Sequence, residues 1–227
     1  MKKIRLKIKI LLLSITCMLF TSCFDLVEEI DMKADGSGSI KATLNLSKSK
    51  TKVASLMKMK SVNGLTIPSQ ATIKSETATI IKILQSTPGI SRVNHTLDFT
   101  NFIATISCDF TSVTALNSFT KTLAQHFKSP LGNNHSYSYN NKSLTFGRQY
   151  TYASSMSKEF SKLSQNDRKL FDDAFYTQIV RFDKSVKSQN NPTAKLSATK
   201  KAVLLKIKAT DLISGKASVA NNIVLQN

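Results

Sequence analysis

Asp35-Gly36 stands between two stretches that alternate apolar and polar residues, and this hairpin signal most constrains the fold. On its far side Ile40, Ala42, Leu44 and Leu46 share one face, with Lys41, Thr43 and Asn45 on the other. Period two then gives way to helical spacing. Val53, Leu56, Met57 and Lys60 mark a short basic helix ended by Asn63-Gly64. A longer helix follows Pro68, with Ile73, Thr77, Ile80, Ile81 and Leu84 on one side. The pattern then recurs. Val93, His95, Leu97 and Phe99 alternate, Thr100-Asn101 turns the chain, and Phe102 to Phe110 returns before a helix bearing Val113, Leu116, Phe119, Leu123 and Phe127. A third hairpin joins Ser136–Tyr139 to Leu144–Tyr150, and Met156 to Phe175 predicts one broken or two short helices. Strands are expected at about Gln178 to Lys187, Lys195 to Ala198, Ala202 to Ala209 and Ser218 to Leu225, with a helical turn at Asp211–Ile213. Repeated hairpin-then-helix units predict an α+β fold, a mainly antiparallel sheet packed by helices.

The N-terminus carries a different message. Lys2, Lys3, Arg5, Lys7 and Lys9 precede an eleven-residue apolar run, Ile10 to Phe20, and small residues Thr21-Ser22 stand before Cys23. A basic start, a short apolar stretch and a small-residue cut site form a secretory signal. A transmembrane helix needs about 20 apolar residues, so this run is too short to span. Leu19-Phe20-Thr21-Ser22-Cys23 resembles a bacterial lipobox, with Phe20 where Leu is usual. The resemblance implies cleavage after residue 22 and acyl chains, palmitate among them, on Cys23. Residues 1–22 are thus read as a signal peptide and 23–227 as a single anchored domain, with no Pro-, Gly- or Ser-rich linker dividing it. At 205 residues the remainder fits the prior of roughly 100–200 residues per domain. Phe24 after the cysteine, rather than Asp, favours the outer membrane of the cell envelope.

The whole chain has 32 Lys and Arg against 14 Asp and Glu. Removing the five basic residues of the leader leaves a charge of +13. Such an excess suits anionic partners, and an exported protein meets envelope polyanions rather than nucleic acid. Lysines spread along nearly every segment also serve solubility alone; about the basic helix, Lys48, Lys50, Lys52, Lys58 and Lys60 are the candidate contacts to an anionic surface, the alternative being an ordinary half-buried helix. Cys17 leaves with the leader and Cys23 takes the lipid, so Cys108 has no disulfide partner. Its place among Phe102, Ala104, Ile106 and Phe110 makes it a buried, inert core residue.

Residues for catalysis are not apparent. His95, His126 and His135 do not pair at a metal-ligand spacing, and no phosphate-loop, dinucleotide or nucleophile-elbow motif occurs. Glu28-Glu29-Asp31 and Asp172-Asp173 read as solvated faces. Tyr137, Tyr139, Phe146, Tyr150 and Tyr152 with Arg148 are expected to fill the core and its rim rather than to form a ligand platform.

The leader, the immediate strand Phe24–Ile30, the Asp35–Ser39 hairpin and the late segment Val203–Lys208 to Leu212 resemble envelope lipoproteins of the LppM type. Uncharacterised lipoproteins of Bacteroidetes-type bacteria are similar, and the Asn-, Ser- and Lys-rich composition suits them. The resemblance supplies no catalytic residue. The expected function is that of a non-enzymatic, lipid-anchored binding or structural module, with no cofactor or metal. Its partners would be the membrane through Cys23, other envelope proteins or anionic glycolipid. A hydrolase or transferase with a dispersed active site, and a small-lipid carrier, are the competing readings.

Overall fold

Two β-sheets face each other, and chain order does not predict which strand joins which. The computed structural model describes residues 24–62, 65–126 and 135–227. Strands β1 (Asp25–Met32) and β2 (Gly38–Asn45) form the first hairpin in full register, Asp25 opposite Asn45 and Met32 opposite Gly38. Gly36 takes φ +86° in the turn, a conformation that L side chains rarely adopt. Gly38 is fixed by close approach, because a Cβ there would lie 2.0 Å from the Asp31 carbonyl oxygen.

A 3-10 turn (Ser47–Ser49) leads into helix α1 (Lys50–Leu56). A small hairpin follows, β3 (Ser61–Val62) with β4 (Leu65–Thr66). Helix α2 (Gln70–Gln85) opens on Ser69, whose hydroxyl accepts the Thr72 amide at 3.0 Å. It buries Thr77, Ile80, Ile81 and Leu84, the face expected from their spacing. Strands β5 (Ile90–Asp98) and β6 (Ile103–Phe110) extend the first sheet, with a bulge between Ser91 and Asn94. Helix α3 (Val113–His126) buries Ala115, Leu116 and Phe119. Phe127, expected on its apolar face, lies outside the described residues, as does Asn63-Gly64.

The third hairpin, β7 (His135–Asn140) and β8 (Thr145–Tyr150), starts the second sheet. Helices α4 (Ser154–Lys162) and α5 (Gln165–Arg168) and a 3-10 turn (Lys169–Phe171) form the broken helical stretch. The strand expected over Gln178 to Lys187 begins earlier and divides. β9 (Phe175–Phe182) belongs to the first sheet and β10 (Val186–Gln189) to the second, because the polar Asp183-Lys184-Ser185 segment carries the chain across. β11 (Lys195–Leu196), β12 (Ala202–Lys208), helix α6 (Ala209–Ile213) and β13 (Asn221–Leu225) complete the chain.

The larger sheet has the order β11-β12-β9-β1-β2-β6-β5, antiparallel throughout except that β1 and β9 run parallel. The smaller, β10-β13-β8-β7, is antiparallel. The fold is therefore α+β. Ile30, Ile40, Cys108 and Val180 from the large sheet meet Phe146 and Ile223 from the small one and Leu84, Leu116 and Phe119 from the helices. Helix α2 packs against β5 and α3, and α3 packs against β7, which continues the second layer beside the small sheet. Cys108 is 2% exposed, and burial pushes its thiol up to about 12.

Candidate functional site

Strand alternation places Glu28 and Glu29 on opposite faces of the large sheet, and charge gathers on both. Glu28 shares its face with Ile30 and Met32 and is 8% exposed, so the solvated reading of this cluster fails for Glu28. It points toward the second sheet. There the Tyr137 hydroxyl donates to its Oε1 at 2.7 Å, and the Tyr176 hydroxyl donates to its Oε2. Arg148, 6% exposed on β8, donates through Nη1 to the Tyr176 hydroxyl and lies 3.5 Å from Glu28 Oε2. Gln178 Nε2 donates to the Tyr137 hydroxyl at 2.7 Å. The guanidinium also sits 5.3 Å from the Tyr137 ring centroid and 5.1 Å from that of Tyr176.

Burial works against the charge on Arg148, but its contacts with Tyr137, Tyr176 and Glu28 outweigh it and raise its pKa. Burial likewise raises both tyrosine hydroxyls, so they stay protonated as donors. Among the described residues, Arg148 Nε and the Tyr150 hydroxyl are buried without a hydrogen-bond partner. The cluster bolts one sheet to the other. Of the aromatic residues expected in the core and its rim, Tyr137 and Phe146 are buried and stacked at 5.5 Å, Tyr139 and Tyr150 are half-buried, and Tyr152 is exposed.

The outer face is open. Arg181 of β9 donates to Glu29 Oε2 at 2.8 Å and to Asp31 Oδ1 at 3.3 Å, and Lys41 of β2 lies 2.6 Å from Glu29 Oε1. These bonds, Lys41 first and Arg181 second, lower the Glu29 pKa. Arg92 pairs with Asp109 across the β5–β6 ladder and holds φ +49° in the bulge. A non-glycine residue in that region costs of order 1–3 kcal/mol. Two adjoining shallow clefts follow this ladder, of about 360 and 250 Å³. Asp31, Ser39, Arg92 and Asp109 line both; Lys33 and Arg181 extend the first, and Glu29 and Lys41 the second. Sequence reasoning missed this mixed-charge cleft because the long-range β1–β9 and β2–β6 pairings assemble it.

The other expected site residues lie elsewhere. Lys48 Nζ is 3.1 Å from Asp25 Oδ2, and Lys50 Nζ is 3.4 Å from Asn101 Oδ1. These contacts hold the start of the basic segment against the end of the large sheet where β1 begins. Lys52, Lys58 and Lys60 are exposed beyond it. Cys23 lies outside the described residues. Of the histidines, His95 is exposed on edge strand β5 and His126 ends helix α3. Among the described residues no helix is long and apolar enough to cross a membrane.

No family model matches the chain, and no curated protein does. Among solved structures it is similar to the NMR structure of the folded domain of Mycobacterium tuberculosis LppM, covering 92% of this chain and 94% of that one. The TM-score is 0.45 and the sequence identity 14%.

Proposed function

We propose that this is a non-enzymatic, lipid-anchored protein of the cell envelope that acts by binding another envelope protein on the outer face of its large sheet. The observation that carries this reading is the contrast between the two charged groups. Glu28 and Arg148 are closed in by Tyr137, Tyr176 and Gln178, whereas Glu29, Asp31, Arg181, Lys41, Arg92 and Asp109 line an open, shallow cleft. A cleft rimmed by both signs of charge suits a polar protein surface with matching charges. Anchoring through Cys23 would keep the domain in the envelope, and its outer-membrane location rests on Phe24 as the following residue.

A photo-crosslinker placed at Ser39, in the cleft, tests the reading in native envelopes. Discrete protein adducts are expected from Ser39, and they should be lost when Arg181→Ala is added. Identical adducts from Glu159, exposed on helix α4 away from the cleft, or none from Ser39, would sink it.

A further inference from the structure

The chain is held to the body of the fold from the residue that follows Cys23. The Phe24 carbonyl accepts the Phe175 amide at 3.1 Å, and the Phe24 ring packs edge-on against Phe171 at 5.3 Å. Phe171 in turn meets Phe160 of α4 at 5.2 Å. β1 begins at Asp25. Two residues of extended chain reach at most about 7 Å, so a lipid on Cys23 leaves no slack between bilayer and domain. Whatever lies at this end of the sheet must then meet the headgroups.

That end carries an apolar row. Leu26 and Leu44 are cross-strand partners, 37% and 38% exposed. Ala104 lies opposite Leu44, and Leu97 opposite Ala104, which carries the row across four strands on the inner face. The same face is closed toward the other end of the sheet, where Ile30, Ile40, Cys108 and Phe110 are buried. Beside the row stands the basic segment, fixed there by Lys48 on Asp25 and Lys50 on Asn101, with Lys52, Lys58 and Lys60 exposed and Met59 53% exposed between the last two. Exposed leucines beside solvated lysines are what an interfacial surface presents to an anionic bilayer: apolar side chains for the acyl boundary, cations for the headgroups.

We infer that the domain docks end-on, with the β1-start end seated on an anionic bilayer through Leu26, Leu44, Met59 and Lys52, Lys58 and Lys60. The inference rests on the Cys23 anchor proposed above and adds a fixed orientation: the β1–β2 turn points away from the membrane and the outer-face cleft stands beside it, reachable from the side.

The test uses the full acylated chain, its N-terminal peptide checked by mass spectrometry, reconstituted into vesicles of neutral phospholipid with and without an anionic phospholipid. An environment-sensitive fluorophore is attached through Leu44→Cys or, as a distant control, Lys142→Cys. Lipid-borne nitroxide should quench the probe at position 44 severalfold more than that at 142, and more strongly in the anionic vesicles. In the unsubstituted chain, Lys52, Lys58 and Lys60 should be protected severalfold from amine labelling relative to Lys142 and Lys200, which makes the test independent of Leu44→Cys folding. Equal quenching and equal labelling with Cys23 acylated would overturn the docking and leave the anchor standing. A chain without acyl groups on Cys23 would end both.

Discussion

Glu28 and Glu29 are neighbours on one strand, yet they meet opposite environments. Glu28 enters the space between two sheets, where removal of its water is offset by two tyrosine hydroxyls and a guanidinium. Glu29 keeps its water and shares Lys41 and Arg181 with the solvent. The first arrangement specifies how the sheets meet, because only one registry brings Arg148 of β8 to Glu28 of β1. The second leaves its charges available to a partner. Identical chemistry therefore has structural weight on one face and recognition value on the other, and the pleat decides which.

The sharpest way to break this comparison is Arg148→Met. It leaves Glu28 buried beside two tyrosines without its cation, and should cost about 3–5 kcal/mol in urea denaturation. The double variant Glu28→Gln/Arg148→Met should be less damaging than Arg148→Met alone, since no uncompensated charge remains. A cost for Arg148→Met near that of a surface substitution would show that the inner cluster is not an interior pair.

Cys108→Ala probes the same inner face without charge. It should cost about 1 kcal/mol, as a small core truncation does. In the folded chain Cys108 should resist thiol reagents, since it is buried and its thiol titrates near 12. Rapid labelling under native conditions would contradict its inward register.

Outer-face changes should be milder. Arg181→Ala should cost at most about 1 kcal/mol and less at high salt, because exposed ion pairs are screened. A larger loss would mean that this face, too, holds the fold together.

The smallest expected effect is on acid stability. The Glu29 carboxyl titrates below its ordinary value of 4.5 because Lys41 and Arg181 bond its charged form. A carboxylate with a depressed folded pKa binds protons more readily when unfolded, so its contribution is complete above that ordinary value and fades as pH falls through the folded one. Glu29→Gln should therefore flatten the acid limb of the stability curve slightly below pH 4.5. An unchanged acid limb would remove Lys41 and Arg181 as partners of that carboxylate in solution.

The sequence disclosed the hairpins because each combines period-two alternation with a turn signal, as in Asp35-Gly36 and Thr100-Asn101. Helices α2 and α3 were equally plain from Ile80, Ile81 and Leu84 and from Leu116 and Phe119. Pairing across long separations was not. Nothing local says that β7 and β8 leave the first sheet, or that β9 lies parallel to β1. Val186 reads as a continuation of Phe182 until Asp183 and Ser185 are seen to carry the turn between sheets. The inward fate of Glu28 was written in its parity with Ile30 and Met32, and that of Arg148 in its parity with Phe146. What the sequence withheld was that each would be the other's partner. The outer cleft was hidden for the same reason, since Asp31 and Arg181 stand 150 residues apart.

The parallel pairing of β1 with β9 sets an order of events for the newborn chain. Among the described residues β1 is the first strand made, yet it lies fourth in a sheet of seven, between β2 and β9. Its hairpin with β2 closes early, but its other edge stays bare until Phe175–Phe182 has been synthesised. Until then Glu28 lacks Tyr176, and an unpaired strand edge adjoins a carboxylate bound for the interior. Contacts of such sequence separation form late and slowly, and they leave aggregation-prone edges waiting. The native sheet of this protein is thus completed from its middle, and only after most of the chain has been synthesised.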